Sequence, residues 1–565
     1  MAEARGYEPN PRYPPVGGRV ARSWDAAVAT LPDVPIVLAV DGPAVAHWDE
    51  VVAGIARAAI ARGREIETLD MRGHLAAWDR IVARTASPTL PEDPDFTTLA
   101  DASIAELFDD IPDPGPPDDL LLVAGPGAGL VRHDVLWYAD LPKRYADAAI
   151  GAGAAANLGQ RSGPGTARRL YYVDWPIVDR HRDAIAPRID RWIDVQRKNE
   201  PRSIDAETLR RTIADLARRP FRTRPTFNTA PWGGHWGQSQ LGQRRDAPNT
   251  AIGYELIAPE SGVLIGDGDA QVEIPFSLIV ARLPREILGE PVMAAFGTSF
   301  PIRFDYLDTV GGGNLSVHCH PRAEYMRAIF GWPYTQHESY YVMVGGDGRH
   351  VYLGLRGDGD LADFEAAAQA ADEHHRPFEI ERFVQTFPAA HGQLFMIPAG
   401  TPHGSAEGNV ILEVSATPYL YSLRFYDWLR RDGDGNQRPV HVGHAFANLD
   451  PERRGDRVRG DLVQSPRTLR DGGGWREELI GALPEVFFEV RRIVIGDDEP
   501  APDETGDRFH ILNVVDGDGV TIETDAGDRH PLAYAETAVV PAAVGGYRLR
   551  RKGAEEVRVV KSLVR

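Results

Sequence analysis

The sequence predicts a multidomain chain in which an N-terminal α/β domain with a parallel sheet is followed by two antiparallel β jelly rolls. A length of 565 residues is too great for one hydrophobic core, so two to four domains are expected. In the first 200 residues, short apolar strands alternate with stretches of helical period, whereas strand periods dominate after about residue 226. The 44 Pro and 57 Gly suit the many turns that such β domains need.

The first predicted domain covers residues 20–200 and is joined to the rest by a helical connector that extends to about residue 225. Its strands are short, apolar and rich in β-branched residues, which is typical of buried parallel strands. They are predicted at residues 34–40, 120–124 and 134–138, with a helix over residues 48–62.

The opening strand and its Asp41-Gly42-Pro43 turn, with the strand that leads into Gly125, resemble the uridine-kinase-like nucleoside kinases. A working phosphate-binding loop requires Gly-Lys-Ser/Thr at the positions that His47, Trp48 and Asp49 occupy in this chain. The residues that would bind phosphate and magnesium are therefore missing. We expect a degenerate nucleoside-kinase-like domain that does not bind ATP.

The second predicted domain, residues 226–450, contains two half-motifs with the spacing of a metal site. The first is Gly312-x5-His318-x-His320-x3-Glu324-x6-Gly331, and the second is Gly392-x5-Pro398-x-Gly400-x2-His403. Residues i and i+2 of a strand share a face, so His318 and His320 both point into the same interior. This bipartite pattern is that of the cupins, and it predicts one divalent metal in a site with an open position. Zn²⁺ is the first choice, ahead of iron or manganese.

Several further blocks of this domain resemble class I mannose-6-phosphate isomerases. These blocks are residues 300–305, 314–321, 338–342, 397–403, 412–414 and 424–428, in the same order and spacing. Carried over position by position, the metal ligands that the resemblance implies are His318, His320, Glu338 and His403. Glu324 completes the general cupin pattern and remains an alternative to Glu338. The implied activity is the conversion of mannose-6-phosphate to fructose-6-phosphate through an enediol.

The resemblance also implies two catalytic residues. Glu413 matches an active-site glutamate, and it would act as the acid/base that moves a proton between C1 and C2. Arg424 matches an arginine that would hold the enediolate charge. The alternatives are structural: Glu413 could pair with an arginine, and Arg424 could pair with Asp427 or Glu413.

Two departures from the family concern the phosphate of the substrate. Lysines that contact the phosphate in the family are replaced by Asp305 and Gln336, which predicts a weaker preference for phosphorylated sugars. The side chains that could replace them in substrate binding are Ser316, Arg303 and Arg430.

The third predicted domain, residues 480–565, reads as a cupin-like jelly roll without a metal. It has strand periods but no His-x-His pair, and Pro541 is followed by Ala542-Ala543 where the second half-motif would continue towards its histidine.

Charge and hydropathy limit the classes of partner. A net charge of −20 argues against binding to nucleic acid or to anionic membranes, because both require clustered Lys and Arg. The absence of any long apolar run predicts a cytoplasmic protein. The resemblance to the isomerases implies a small sugar or sugar phosphate as its partner. Besides the isomerase, two functions remain open: an isomerase or epimerase of an unphosphorylated sugar, and a non-catalytic sugar-binding regulatory protein.

Overall fold

The structure is a computed structural model that describes residues 6–432 and 435–565. It confirms a multidomain chain, mostly of β-sheet, with a mixed α/β N-terminal region. Among the described residues, no helix combines the length and the apolar character that crossing a membrane requires.

The N-terminal domain is built on a seven-stranded sheet with helices packed against it. Its first parallel strand, Ile36–Asp41, lies in the middle of the sheet and is buried along its whole length. From one edge to the other, the strands are Ala21–Arg22, Arg202–Asp205, Arg191–Asp194, Val135–Asp140, Ile36–Asp41, Leu120–Ala124 and Ile66–Asp70. Its helices are Trp24–Val28, Trp48–Ala61, Trp78–Arg84, Lys143–Gly151, Ala167–Arg169, the π-helical turn Leu170–Asp174, Trp175–Ile185 and Ala206–Leu216.

The sheet continues past the residues that the sequence predicts for it. The strand Arg191–Asp194 extends the sheet in parallel, and Arg202–Asp205 then pairs with it antiparallel. Both strands carry charged residues at their ends, so neither has the apolar run that marks a buried strand in a sequence. Part of the predicted helical connector is therefore sheet, and its helix Ala206–Leu216 follows the last of these strands.

The central region contains a seven-stranded and a five-stranded antiparallel sheet, called here the central sheets. The seven strands are, in order, Val463–Gln464, Leu394–Ile397, Glu338–Val344, Val410–Ala416, Ile302–Asp308, Ile252–Leu256 and Thr226–Asn228. The five are Val384–Pro388, His350–Leu355, His403–Ser405, Val317–Cys319 and Leu423–Tyr426. A small third sheet joins Arg12–Tyr13, Gly262–Asp267 and Ala270–Pro275. The helices of this region are Trp236–Gln240, Phe276–Arg282, Pro284–Leu288, Glu290–Phe296, Ala323–Tyr325, the π-helical turn Met326–Phe330, Leu361–His374, Val442–Asn448 and Asp456–Asp461.

The C-terminal region contains a six-stranded and a four-stranded sheet, called here the C-terminal sheets. The six strands are Arg467–Gly472, Trp475–Gly481, Phe488–Ile495, Val557–Val564, His510–Asp516 and Thr537–Val540. The four are Ala501–Glu504, Gly546–Arg551, Gly519–Thr524 and Arg529–Ala533.

A segment of the N-terminal domain, residues 87–100, lies against the central sheets and is called here the docking segment. Its Phe96 ring packs on Phe330 at 5.4 Å and on His441 at 4.7 Å between ring centroids. Asp93 contacts His444 at 2.7 Å, and the Leu99 amide donates to the Phe330 carbonyl at 2.9 Å. The N-terminal domain therefore forms part of the surroundings of the central sheets.

Candidate metal centre

Four side chains of the two central sheets meet in the buried interior. His318 and His403 lie directly opposite each other on neighbouring antiparallel strands, and His320 follows two residues after His318. Glu338 is the first residue of a strand in the other sheet. One ligand atom from each of the four lies within 4.8 Å of the others, and no residue of the set is more than 6% exposed.

Backbone carbonyl groups fix the orientation of all three imidazole rings. A carbonyl oxygen only accepts hydrogen bonds, so a ring nitrogen beside it carries the proton, and the other nitrogen keeps its lone pair for a metal. In each ring the nitrogen beside a carbonyl is Nδ1, which leaves Nε2 free to ligate. The distances are 2.9 Å from His318 to Ser316 O, 3.2 Å from His320 to Tyr421 O and 2.9 Å from His403 to Thr401 O.

The electrostatics of the cluster favour the protonation state that a cation needs. Burial, with the neighbouring imidazoles, lowers the pKa of His318 well below its usual value, and burial also lowers the pKa of His320. Burial opposes ionisation of Glu338, but His403 and His320 facing it hold its pKa well below the usual range. At neutral pH, His318 and His320 are therefore neutral imidazoles and Glu338 is a carboxylate, which is the state in which these groups bind a divalent metal.

The cluster also contains a buried ligand atom without a hydrogen-bond partner among the described residues, as a metal site would. His403 Nε2 is buried, has no hydrogen-bond partner in the described part of the chain and lies 3.2 Å from the Glu338 carboxylate. A buried nitrogen without a partner is costly unless another group satisfies it. Three imidazoles and one carboxylate suit Zn²⁺, iron or manganese.

Glu324, the alternative ligand of the half-motif, lies elsewhere. It belongs to the short helix Ala323–Tyr325, where its side chain is exposed. Only one of the two candidate carboxylates, that of Glu338, is in the buried cluster.

A second group of charged residues lies beside the cluster on the same interior face. Cross-strand register places Arg303 beside Ser415, and Ser415 beside Glu338. Arg303 forms an ion pair with Glu413, donates to Ser415 Oγ at 2.7 Å and lies 3.5 Å from Asp305. The predicted acid/base Glu413 is therefore close to the ligands, and its arginine partner is Arg303.

These interior carboxyl groups have strongly perturbed proton affinities. Burial raises the pKa of Asp305 to about 7, although Arg303 lowers it. Burial also raises the pKa of Glu413 well above its usual range, against the effect of Arg303. A carboxyl group with a pKa of about 7, as Asp305 has, can exchange protons near neutral pH, as general acid–base catalysis requires.

The other residues predicted to bind substrate are engaged in structural contacts. Arg430 pairs with Asp427 at 3.1 Å and donates to the carbonyl of Asn314. Ser316 is buried, and its carbonyl orients His318. Arg303 is held by its two carboxylates and Arg430 by Asp427, so neither of these two guanidinium groups is unpaired.

Arg424 lies opposite His318 in the strand register but forms neither of the ion pairs considered for it. It donates to the Pro439 carbonyl at 2.7 Å and approaches His441 at 3.4 Å. Asp427, its predicted alternative partner, pairs with Arg430 and Arg438. The side chain of Arg424 lines a cavity beside the N-terminal domain.

Tyr340 is an interior residue that the sequence reasoning missed. It follows Glu338 by two positions, pairs with Glu413 across the sheet, and its buried hydroxyl has no hydrogen-bond partner among the described residues. The strand period of two that identifies His318 and His320 could have identified it too. Arg168 and Asp95, which line the cavity beside Arg424, carried no local signal, because they come from a different domain.

Comparison with known proteins divides the chain into two parts. Residues 23–218 match a family model described as a domain of unknown function, DUF8485. A mannose-6-phosphate isomerase of Streptococcus mutans serotype c is 25% identical over 211 residues, which is 37% of this chain and 61% of that protein. A Bacillus subtilis (strain 168) protein named "Probable mannose-6-phosphate isomerase GmuF" is 27% identical over 267 residues, 47% of this chain and 75% of that protein.

Among solved structures, the mannose 6-phosphate isomerase of Bacillus subtilis superposes with a TM-score of 0.49 at 18% identity, over 61% of this chain and 99% of that one. A zinc-bound mannose 6-phosphate isomerase superposes with a TM-score of 0.44 at 15% identity, over 61% of this chain and 99% of that one. The chain spans less than two thirds of the length of the Streptococcus mutans relative. The chain is similar in sequence to these mannose-6-phosphate isomerases over 37% to 47% of its own length.

Proposed function

We propose that the protein is a metal-dependent aldose–ketose isomerase of the mannose-6-phosphate isomerase type, which interconverts mannose-6-phosphate and fructose-6-phosphate. The observation that carries this proposal is the buried cluster of His318, His320, Glu338 and His403 next to an ion-paired Glu413. The similarity to mannose-6-phosphate isomerases supports the same reaction.

Each interior group has a role in this proposal. The four ligands would hold one divalent metal, with Zn²⁺ as first choice, which supplies Lewis-acid polarisation of the substrate oxygens when it is bound. Glu413 removes the proton from C2 of the open-chain aldose to give an enediolate with its charge on O1. A proton then passes from the hydroxyl on C2 to O1, and Glu413 returns the carbon-bound proton to C1 to give the ketose. Arg303 holds Glu413 in place and balances its charge when it is ionised.

The buried position of these residues serves the reaction as well. An interior closed to bulk water keeps the proton on Glu413 from exchanging freely before it reaches C1, and it strengthens each electrostatic contact. The unpartnered hydroxyl of Tyr340 is a donor that a sugar hydroxyl could use.

An isomerase of an unphosphorylated sugar is the second candidate. Asp305 stands where a lysine contacts the phosphate in the family, and Arg303 beside it is already paired with Asp305 and Glu413, so neither offers an unpaired cation to a phosphate. This observation leaves the isomerisation chemistry intact and changes only the place where a phosphate could bind.

The test is the interconversion of mannose-6-phosphate and fructose-6-phosphate by metal-loaded protein, with Glu413→Gln as the variant. Loss of the general base should lower kcat by roughly 10²- to 10⁴-fold while the metal content stays the same. Glu407→Gln, an exposed glutamate on the turn before the same strand, is the matched control and should keep full activity. Full activity of Glu413→Gln, or no isomerisation of any of these sugars by wild type, would contradict the proposal.

A further inference from the structure

A cavity of about 550 Å³ lies between the N-terminal domain and the central sheets, and it is called here the interface cavity. The N-terminal domain contributes Asp95, Arg168 and Tyr172, and the central region contributes Ser422, Arg424 and His441. The two contributions come from parts of the sequence more than 200 residues apart, so the cavity exists only where the domains are docked.

Its two arginines have no carboxylate partner. Arg168 donates from Nε to the Phe96 carbonyl at 2.7 Å and from Nη2 to the Leu90 carbonyl at 3.1 Å. Arg424 is held in the same way by the Pro439 carbonyl. In the part of the chain that the structure describes, neither guanidinium has a carboxylate oxygen within 4.0 Å. Carbonyl contacts fix the position of a guanidinium without neutralising its charge, so further donors remain for an anion.

The other charged groups of the cavity do not cancel this positive charge. Asp95 lies 3.6 Å from His441; burial raises its pKa, while Arg424 and Arg168 lower it, so the cavity holds this one carboxyl group against the two guanidinium groups. Burial and Arg438 lower the pKa of Arg424 to about 10, which still leaves it protonated at neutral pH. The cavity therefore carries a net positive charge in a chain whose net charge is −20.

Position relates the cavity to the metal centre. Arg424 is the cross-strand partner of His318, and such partners lie about 4.5–5.5 Å apart at Cα with side chains on the same face. The interior around the ligands is rich in carboxyl groups, whereas the cavity is rich in guanidinium groups. A substrate with a neutral end and an anionic end matches this division of charge.

We propose that the interface cavity binds the phosphate group of a sugar phosphate through Arg168 of the N-terminal domain and Arg424 of the central region. The N-terminal domain is then part of the substrate site and not a separate module. The inference rests on the proposed function for its choice of a sugar as the ligand. It also identifies Arg168 as a substitute for the phosphate-binding charges that Asp305 and Gln336 do not provide.

Binding of mannose-6-phosphate, mannose and inorganic phosphate to the full-length, metal-loaded protein tests the inference by calorimetry. Wild type should bind mannose-6-phosphate more tightly than mannose, and inorganic phosphate should compete with the phosphorylated sugar. Arg168→Gln removes one charge-assisted contact and should weaken mannose-6-phosphate binding by roughly ten- to a hundredfold, with mannose binding unchanged. Arg180→Gln is the matched control, because Arg180 is also held by carbonyl groups, those of Ala100 and Ala102, but does not line the cavity.

Arg168 also anchors the docking segment, so Arg168→Gln could lose binding because it does not fold correctly. A second variant tests the same site without removing that anchor. Ala167→Asp places a negative charge on the exposed wall of the cavity without removing a contact, and it should weaken mannose-6-phosphate binding to a similar degree. Thermal unfolding of each variant identifies any that is not folded.

The two proposals fail in different ways. Wild type that binds mannose-6-phosphate no tighter than mannose, or variants Arg168→Gln and Ala167→Asp that bind it as wild type does, would overturn the inference. If binding depends on Arg168 but no isomerisation occurs, the phosphate site stands and the proposed isomerase is wrong. If isomerisation occurs and Arg168→Gln leaves the KM for mannose-6-phosphate unchanged, the proposed isomerase stands and the phosphate site is wrong.

Discussion

The imidazoles of the metal centre are oriented by the chain next to them. For both His318 and His403, the carbonyl that contacts Nδ1 belongs to the residue two positions earlier, Ser316 or Thr401. The orientation of these two ligands is therefore local, and it does not depend on a distant side chain that a substitution could remove. Of the three, only His320 depends on a carbonyl that is distant in sequence, that of Tyr421, which lies just before the strand Leu423–Tyr426.

The choice between the two candidate carboxylates gives the first prediction. Glu338→Gln should lose most of the bound metal, because an amide is a weaker ligand and cannot balance the charge of a cation in a buried site. Glu324→Gln should keep the wild-type metal content, since its side chain is exposed on a short helix. Metal analysis of both variants distinguishes them, and loss of metal from Glu324→Gln alone would reverse the assignment.

At the scale of residues, the sequence predicts what is local and misses what is distant. The spacings His318-x-His320 and Gly400-x2-His403 identify the histidine ligands from sequence, because the first follows strand alternation and the second follows a tight turn. The pairing of Arg303 with Glu413 joins residues 110 positions apart, so only the register of two strands reveals it. The same reason hides Arg168, whose neighbours in the cavity come from another domain.

Among the structural elements, the C-terminal sheets contain a buried ionic cluster. The ammonium of Lys561 contacts Glu477 and Asp503, each at 2.5 Å, and none of the three side chains is more than 7% exposed. Arg470 and Arg491 pair with Glu477 from outside the cluster. The cluster links the strands Trp475–Gly481, Ala501–Glu504 and Val557–Val564.

Removal of the ammonium gives the second prediction. Lys561→Met removes the buried ammonium from Glu477 and Asp503 and leaves them only the more exposed Arg470 and Arg491, which should destabilise the protein by up to about 3–5 kcal/mol. Lys552→Met, a change of the same size at a partly exposed lysine that makes no ion pair among the described residues, should have little effect. Chemical denaturation compares the two, and equal stability of the two variants would show that the cluster contributes nothing.

The same sheets supply a prediction on pH. Burial lowers the pKa of His510 to about 3, whereas an unfolded histidine titrates near 6.5. Between these values the unfolded chain binds one more proton there, so acid favours unfolding. Stability should therefore fall as the pH is lowered from about 6.5 towards 3, by at most about 1.4 kcal/mol per pH unit from this group. His510→Gln should reduce the slope by one proton, and an unchanged slope would contradict the assignment.

At the scale of elements, the sequence predicts strands that are apolar and misses those that are not. The strands Leu120–Ala124 and Ile36–Asp41 lie within one or two residues of the predicted bounds, because uninterrupted apolar residues mark them. Arg191–Asp194 is buried at all four positions, yet it begins and ends with a charged residue. Its burial depends on partners such as Ser203 for Arg191, which no local pattern shows.

In the whole molecule, the N-terminal domain has a buried strand, Ile36–Asp41, followed by a turn and the helix Trp48–Ala61, but it lacks the residues that a phosphate-binding loop requires. His47 has a left-handed backbone conformation just before the helix Trp48–Ala61, and Asp49 projects from the first turn. Asp49 and Asp70 both pair with Arg72 at the carboxyl ends of the strands. Carboxylates at this place repel a triphosphate.

We therefore expect no tight binding of ATP by the N-terminal domain. Calorimetry with ATP and magnesium should show no binding in the micromolar range, for wild type and for Asp49→Lys alike, because a single lysine does not rebuild the missing loop. Micromolar affinity of wild type that disappears in His47→Glu would overturn this expectation.

The domains are joined by specific contacts, and this bears on function. The docking segment places Phe96 among aromatic side chains of the central region, and the hydroxyl of Tyr172 donates to the Leu420 carbonyl at 3.2 Å. The sequence predicts the separate domains, but their docking depends on the complementary shape of surfaces that are far apart in the chain. The interface cavity is a consequence of this docking.

The metal content of purified protein is the measurement that bears most directly on the central claim. Wild type should contain about one divalent metal ion per chain, and a variant with both His318→Ala and His403→Ala should contain none, because two of four ligands are gone. The double variant should also lose any isomerase activity. If it kept one metal per chain, the cluster of His318, His320, Glu338 and His403 would not be the metal site.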